Sequence, residues 1–154
     1  MSELESLISD CEKYISKNGI DENIIEAYYN VCQLAKNEGE IGTMLKCTAR
    51  AKELINGYCT KQFNGKDIWE VEKVVQESDS EYPLLNQFYD VLKLESYYNF
   101  ESFMFYMERK RHWTKRFYFP RRKTLKVVVK DLEDLEYGIS EFYGLSMPSR
   151  VGKS

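Results

Sequence analysis

The stretch Glu22-Asn-Ile-Ile-Glu-Ala-Tyr-Tyr-Asn-Val-Cys-Gln-Leu-Ala-Lys-Asn37 repeats its apolar residues at helical spacing. Ile24, Ile25, Tyr28, Val31, Cys32 and Ala35 fall on one face, and charged or amide residues fall on the other. A period near 3.6 with no strict alternation predicts an amphipathic helix over 22–37. Asp21 stands where a short oxygen-bearing side chain can accept from the first free backbone N–H groups, so it is the expected N-cap. Its neighbours read the same way. Leu4, Leu7, Ile8, Cys11 and Ile15 predict a helix over 3–17, stopped at Asn18-Gly19, where both residues tolerate a left-handed cap. After Gly39 and Gly42, a third helix is expected over about 43–63, with Met44, Leu45, Cys47, Ala51, Leu54 and Ile55 on its buried side.

Three such helices with short connections predict a small acidic bundle over 1–63. Asn64-Gly65 is a turn signal. Further helices are expected over about 67–78, 83–95 and 99–111, with Pro83 in a first turn that has no need of its N–H. Together they form a helical region over 64–111. Phe100-Glu-Ser-Phe-Met-Phe-Tyr-Met107 is apolar on almost every side and is expected to be buried. Arg109 to Arg111 then stand at the helix end, where cations oppose the negative end of the dipole.

At 154 residues the chain is long enough for one domain, or a small module and part of another. No apolar run approaches the roughly 18 residues needed to span a bilayer, and Met1-Ser-Glu-Leu-Glu lacks the basic flank and apolar core of a secretory signal. Aromatic residues make up 14% of the chain, which excludes collagen-like and disordered classes. Cys11, Cys32, Cys47 and Cys59 contain no C-x-x-C pair, and the single histidine, His112, is remote from them. Reduced, buried thiols are expected, not a structural metal or a disulfide framework.

Charge is unevenly placed. The net value is −3, yet Arg109–Lys126, RKRHWTKRFYFPRRKTLK, holds nine of the 22 Lys and Arg and none of the 25 Asp and Glu. Interleaved Trp113, Phe117, Tyr118 and Phe119 suit stacking on bases, so the segment is expected either to contact an anion or to be a solvated helix end and loop. His112 has no nucleophile or carboxylate at a telling spacing and reads as one more polar residue of this loop. Glu70, Glu72, Glu77, Asp79 and Glu81 read as an exposed acidic face, and most of the twelve tyrosines as core-packing residues.

The remainder, 112–154, reads as the start of an α/β nucleotide-binding domain. Pro120 opens a helix over about 121–136, with Leu125, Val128, Val129, Leu132 and Leu135 as its buried stripe. Gly138 ends it, Ile139–Met147 reads as a strand, and Pro148-Ser149-Arg150-Val151-Gly152-Lys153-Ser154 follows. Gly152-Lys153-Ser154 is the tail of the phosphate-binding loop G-x-x-x-x-G-K-[ST], with Met147 in place of the first glycine. In that chemistry backbone N–H groups wrap the phosphates, Lys153 reaches β- and γ-phosphate oxygens, and the Ser154 hydroxyl ligates Mg²⁺. The fold class expected is therefore mainly α: a small helical bundle, then helices and one strand that begin a P-loop α/β ATPase domain.

The order of features from about Tyr89 to Ser154 resembles the start of the ATPase domain in the large terminase subunits of tailed bacteriophages, especially those of Gram-positive hosts. The matching pieces are Phe100-Glu-Ser-Phe-Met-Phe-Tyr-Met, Arg116-Phe-Tyr-Phe-Pro-Arg-Arg, Asp131-Leu-Glu-Asp-Leu-Glu and Met147-Pro-Ser-Arg-Val-Gly-Lys-Ser. Ser149 replaces the second proline of that family's P-P-R-x-G-K-S loop, and the absent first glycine is usual in that form. The resemblance implies a motor that hydrolyses ATP with Mg²⁺ to package double-stranded DNA into a capsid, with a separate nuclease domain. It implies as partners the portal protein, the small terminase subunit and other large subunits, all in the host cytoplasm during virion assembly. It places Met147, Pro148, Ser149, Arg150, Val151, Gly152, Lys153 and Ser154 around the phosphates, with Arg150 as a loop arginine. Tyr118, Arg121 and Arg122 would lie on the adenine and ribose side.

The chain stops at Ser154, before the helix, the acid-ended strand and the positioned glutamate that such catalysis uses. An N-terminal fragment of the motor, or the product of an interrupted gene, is expected, without useful ATP hydrolysis on its own. The alternative is a stand-alone helical interaction or nucleic-acid-binding protein without enzymatic activity.

Overall fold

A computed structural model describes residues 2–125, and these are mainly helical, with no strand among them. The chain divides into two compact units, Met1–Glu95 and Ser96–Ser154. Residues 126–136 of the helix expected over 121–136, the expected strand 139–147 and the expected loop 147–154 lie outside the described residues.

The first unit holds α1 (Glu3–Asn18), α2 (Glu22–Asn37), α3 (Ile41–Gln62), α4 (Ile68–Glu77) and α5 (Pro83–Glu95). Helix α2 is its centre: it packs on α1, α3 and α5, and α3 in turn carries α4 and α5. All six residues of the predicted α2 face are buried, and Asp21 caps the helix by accepting from the Ile24 N–H at 2.9 Å. Gly19 closes α1 at φ +80°, a backbone conformation that L side chains rarely adopt. Asn64 and Gly65 both take positive φ in the turn ahead of α4. The Asp67 carboxylate then accepts from the Glu70 N–H while Glu70 accepts from the Asp67 N–H, a reciprocal capping box.

One boundary and one burial differ from the sequence reading. Helix α3 starts at Ile41, so Gly42 lies inside its first turn, where an N–H has no intrahelical partner and the propensity cost is small. The acidic group in α4 is not wholly exposed: Glu72 is 4% exposed and accepts a hydrogen bond from the Tyr89 hydroxyl at 2.5 Å. A buried carboxylate needs such a donor, and α5 supplies it. Cys11, Cys32, Cys47 and Cys59 are all free and buried, packed as small apolar residues between the helices.

Polar ties join the helices at their margins. Arg50 on α3 grips the Glu12 carboxylate of α1 with Nε at 3.1 Å and Nη2 at 3.0 Å, and the Tyr28 hydroxyl of α2 donates to the same carboxylate. The Arg50 hydrogen bond, ahead of that from Tyr28, holds the Glu12 carboxyl below its ordinary range. Burial, and then the Glu12 carboxylate, push the Tyr28 hydroxyl far up. The signs are opposite. Stability from Glu12 is present above the ordinary carboxylate range and is lost as pH falls through the lowered folded value. Stability from Tyr28 is present below the ordinary tyrosine value of about 10 and is lost as pH rises beyond it. Denaturant midpoints measured across pH are expected to fall at both ends, and Tyr28→Phe is expected to flatten the alkaline limb. An alkaline limb unchanged by that substitution would show that Tyr28 does not set it.

In the second unit, α6 (Phe100–Met107) starts at Asn99, whose side chain accepts from the Ser102 N–H at 3.0 Å. It ends four residues earlier than the expected 99–111. A turn over 108–110 follows, then a 3₁₀ turn (Trp113–Lys115) and a helix over 118–125, here α7. Its onset lies two residues before Pro120, so the proline sits within the first turn, where its missing N–H costs nothing. Tyr118 and Leu125 form the buried centre, with Phe100, Met104, Phe105 and Phe117 packed against it. The expectation that Phe100–Met107 would be buried is not met: only Ser102 is buried, and Phe100, Met104, Phe105 and Tyr106 are half-buried. Phe103 is 40% and Met107 58% exposed. They lie four apart on one side of α6, and the Tyr118 cluster takes the other.

Candidate nucleotide and nucleic-acid interface

The basic segment is organised around one acid. Glu108, 6% exposed, sits where α6 stops and turns its carboxylate onto the start of α7. It accepts from the N–H groups of Phe117 at 2.6 Å, Tyr118 at 3.0 Å and Phe119 at 3.2 Å. These are donors that a helix start leaves without intrahelical partners, and they converge on a negative charge at the positive end of the dipole. Arg111 adds an ion pair at 3.8 Å. The buried Arg116 completes the turn, donating to the carbonyl of Arg111 at 3.1 Å and that of Arg109 at 3.2 Å. Side-chain donors thus satisfy carbonyls that a longer α6 would have bonded itself. This is why the helix ends at Met107.

Three arginines share one arrangement. The Arg109 guanidinium lies 3.8 Å from the centre of the Tyr106 ring and donates to the Tyr106 carbonyl at 2.9 Å. Arg121 lies 4.3 Å from the centre of the Phe117 ring and donates to the Phe117 carbonyl at 2.9 Å. Arg122 lies 4.1 Å from the centre of the Phe119 ring and donates to the Phe119 carbonyl at 2.6 Å. Each ring holds its cation by the attraction of its negative face, and the carbonyl fixes the direction. The arginines are pre-set, not loose.

Of the residues expected on the adenine and ribose side, Arg121 is exposed and Arg122 half-buried. Tyr118 is 1% exposed: its ring packs edge-on to Phe105 at 5.6 Å, and its hydroxyl donates to Glu101 at 3.1 Å. It is the core residue that seats α7 on α6. Met147–Ser154 lie outside the described residues. His112 is exposed and caps the 3₁₀ turn, its Nδ1 accepting from the Thr114 N–H at 3.3 Å. Glu108 was not picked out from the sequence, and Arg116 entered only as the first residue of the Arg116-Phe-Tyr-Phe-Pro-Arg-Arg segment. The available signal was position, since Glu108 is the acid immediately preceding the acid-free run.

Among the described residues, no cluster of three or more His, Cys, Asp or Glu could hold a metal ion, and no helix is long and apolar enough to cross a membrane. No family model, curated protein or solved structure matches the chain.

Proposed function

We propose that the chain is the N-terminal part of a tailed-phage terminase large subunit, the ATP-driven motor that packages double-stranded DNA in the host cytoplasm. The observation that carries this is the order of features along the second unit. An aromatic helix, the Arg116-Phe-Tyr-Phe-Pro-Arg-Arg segment, the acidic run Asp131-Leu-Glu-Asp-Leu-Glu and Val151-Gly-Lys-Ser follow one another as in that family. In this role Lys153 contacts the nucleotide phosphates, Ser154 ligates Mg²⁺ and Arg150 supplies a further charge beside them. The partners are duplex DNA, the portal, the small subunit and other large subunits.

The coding DNA beyond codon 154 tests this. A motor subunit requires an open frame running into a helix and later an apolar strand ending in an acid. A frame without them overturns the proposal. A second reading, a helical interaction protein without enzymatic activity, is favoured by one observation: Met1–Glu95 buries its own core and ties its margins with internal ion pairs such as Arg50–Glu12 and Lys52–Glu95. That protein would be indifferent to ATP.

A further inference from the structure

We infer that the turn after α6, the 3₁₀ turn and the start of α7 together form a docking surface for the phosphodiester backbone of duplex DNA, separate in sequence from residues 147–154. The cations concerned are Arg109, Lys110, Lys115, Arg121, Arg122 and Lys123. Among the described residues none of them is ion-paired to a carboxylate. Among the described residues of the second unit the acids are Glu101 and Glu108, and both are already committed, to the Tyr118 hydroxyl and to the backbone N–H groups of 117–119. Glu108 therefore organises the surface without exposing a charge that would repel an anion.

The form of the patch fits a polymer. Lys110, Lys115, Arg121 and Lys123 are exposed, and they are carried by three successive pieces of backbone. Charge distributed along a surface matches DNA, which presents one phosphate about every 1.7 Å of axis, better than it matches one triphosphate. The three ring-backed arginines each spend one donor on a carbonyl and keep the rest of the planar guanidinium for phosphate oxygens. Holding them in place before binding lowers the ordering cost that flexible arginines would incur. The buried Tyr118 ring is committed to the unit's core, so contact runs through cations and not through base stacking on that ring. No base edge is read, and binding is insensitive to sequence.

The test is fluorescence anisotropy of a labelled duplex with the full 154-residue protein, titrated at several salt concentrations. The wild type is expected to bind with affinity that falls steeply as salt rises. The variant Arg109→Gln, Arg121→Gln, Arg122→Gln is expected to weaken binding by about tenfold or more and to lower the salt slope by about 3, near 0.9 for each lost phosphate contact. A second variant, Lys110→Gln, Lys115→Gln, Lys123→Gln, touches no ring or carbonyl contact, so its fold is preserved, and its slope is expected to fall by a similar amount. Lys153→Ala is expected to leave DNA binding intact, which separates this surface from the nucleotide reading of the loop. No binding by the wild type, a lysine variant with an unchanged slope, or loss of binding in Lys153→Ala would overturn the assignment. So would displacement of DNA by Mg·ATP at matched phosphate, or tighter binding to anionic lipid vesicles than to the duplex.

Discussion

Glu108→Ala is expected to unravel the junction between α6 and α7, at a cost of about 3–5 kcal/mol to the second unit. Three backbone donors, those of Phe117, Tyr118 and Phe119, lose their acceptor together, and the Tyr118 N–H is buried. Each stranded donor costs roughly 1–3 kcal/mol, less where solvent reaches it, as at the two half-buried phenylalanines. Glu108→Gln keeps an acceptor oxygen and is expected to cost less, about 1–2 kcal/mol. The two tryptophans make this measurable, since Trp69 lies in the first unit and Trp113 in the second. In a Trp69→Phe background, the Trp113 emission should shift at lower denaturant in Glu108→Ala than in the parent. The amides of 117–119 should lose their hydrogen-exchange protection. An unchanged Trp113 transition would show that α7 is held by the Tyr118–Leu125 cluster alone.

The second large effect is expected at Lys52. Its ammonium lies 2.5 Å from the Glu95 carboxylate, joining α3 to the last residue of α5. The Glu95 side chain is only 5% exposed and that of Lys52 30%, so removing the lysine takes away the cation that faces a buried carboxylate. A fully buried pair broken in this way loses about 3–5 kcal/mol; with one partner partly solvated, about 2 kcal/mol is expected for Lys52→Ala. Replacing both partners, Lys52→Met with Glu95→Leu, is expected to recover most of that loss, because two apolar residues need no mutual compensation. Thermal unfolding of the three proteins checks it. A double variant no more stable than Lys52→Ala would mean that Glu95 serves its other neighbours more than it serves Lys52.

The helical first unit was legible because its signals are local. The Ile24–Ala35 stripe recurs at helical spacing, and every residue of it is buried. Asp21 and Gly19 act as caps through groups adjacent in sequence. The carboxylates were harder to read. Glu72, Glu95 and Glu108 are buried by partners 17, 43 and about ten residues away, and a glutamate in a polar run resembles one facing solvent. The end of α6 was missed for the same reason. Nothing in Phe100–Met107 stops a helix; the side chains of Glu108 and Arg116 end it by bonding backbone groups elsewhere. The all-round apolar pattern of α6 also concealed which side would be covered, since periodicity cannot choose a face when every face is apolar.

At the candidate site, the cations and rings were visible as a composition, but their pairing was not. That Arg121 lies on Phe117 and Arg122 on Phe119 follows from the first turn of α7, which begins at 118 under the control of Glu108.

The most direct measurement is Mg·ATP binding by the protein expressed from its complete reading frame, with Lys153→Ala alongside. A terminase motor predicts saturable binding that the substitution weakens by about tenfold or more, because a charge-assisted contact to the phosphates is lost. Binding of equal affinity in the two proteins, or none in either, would contradict it.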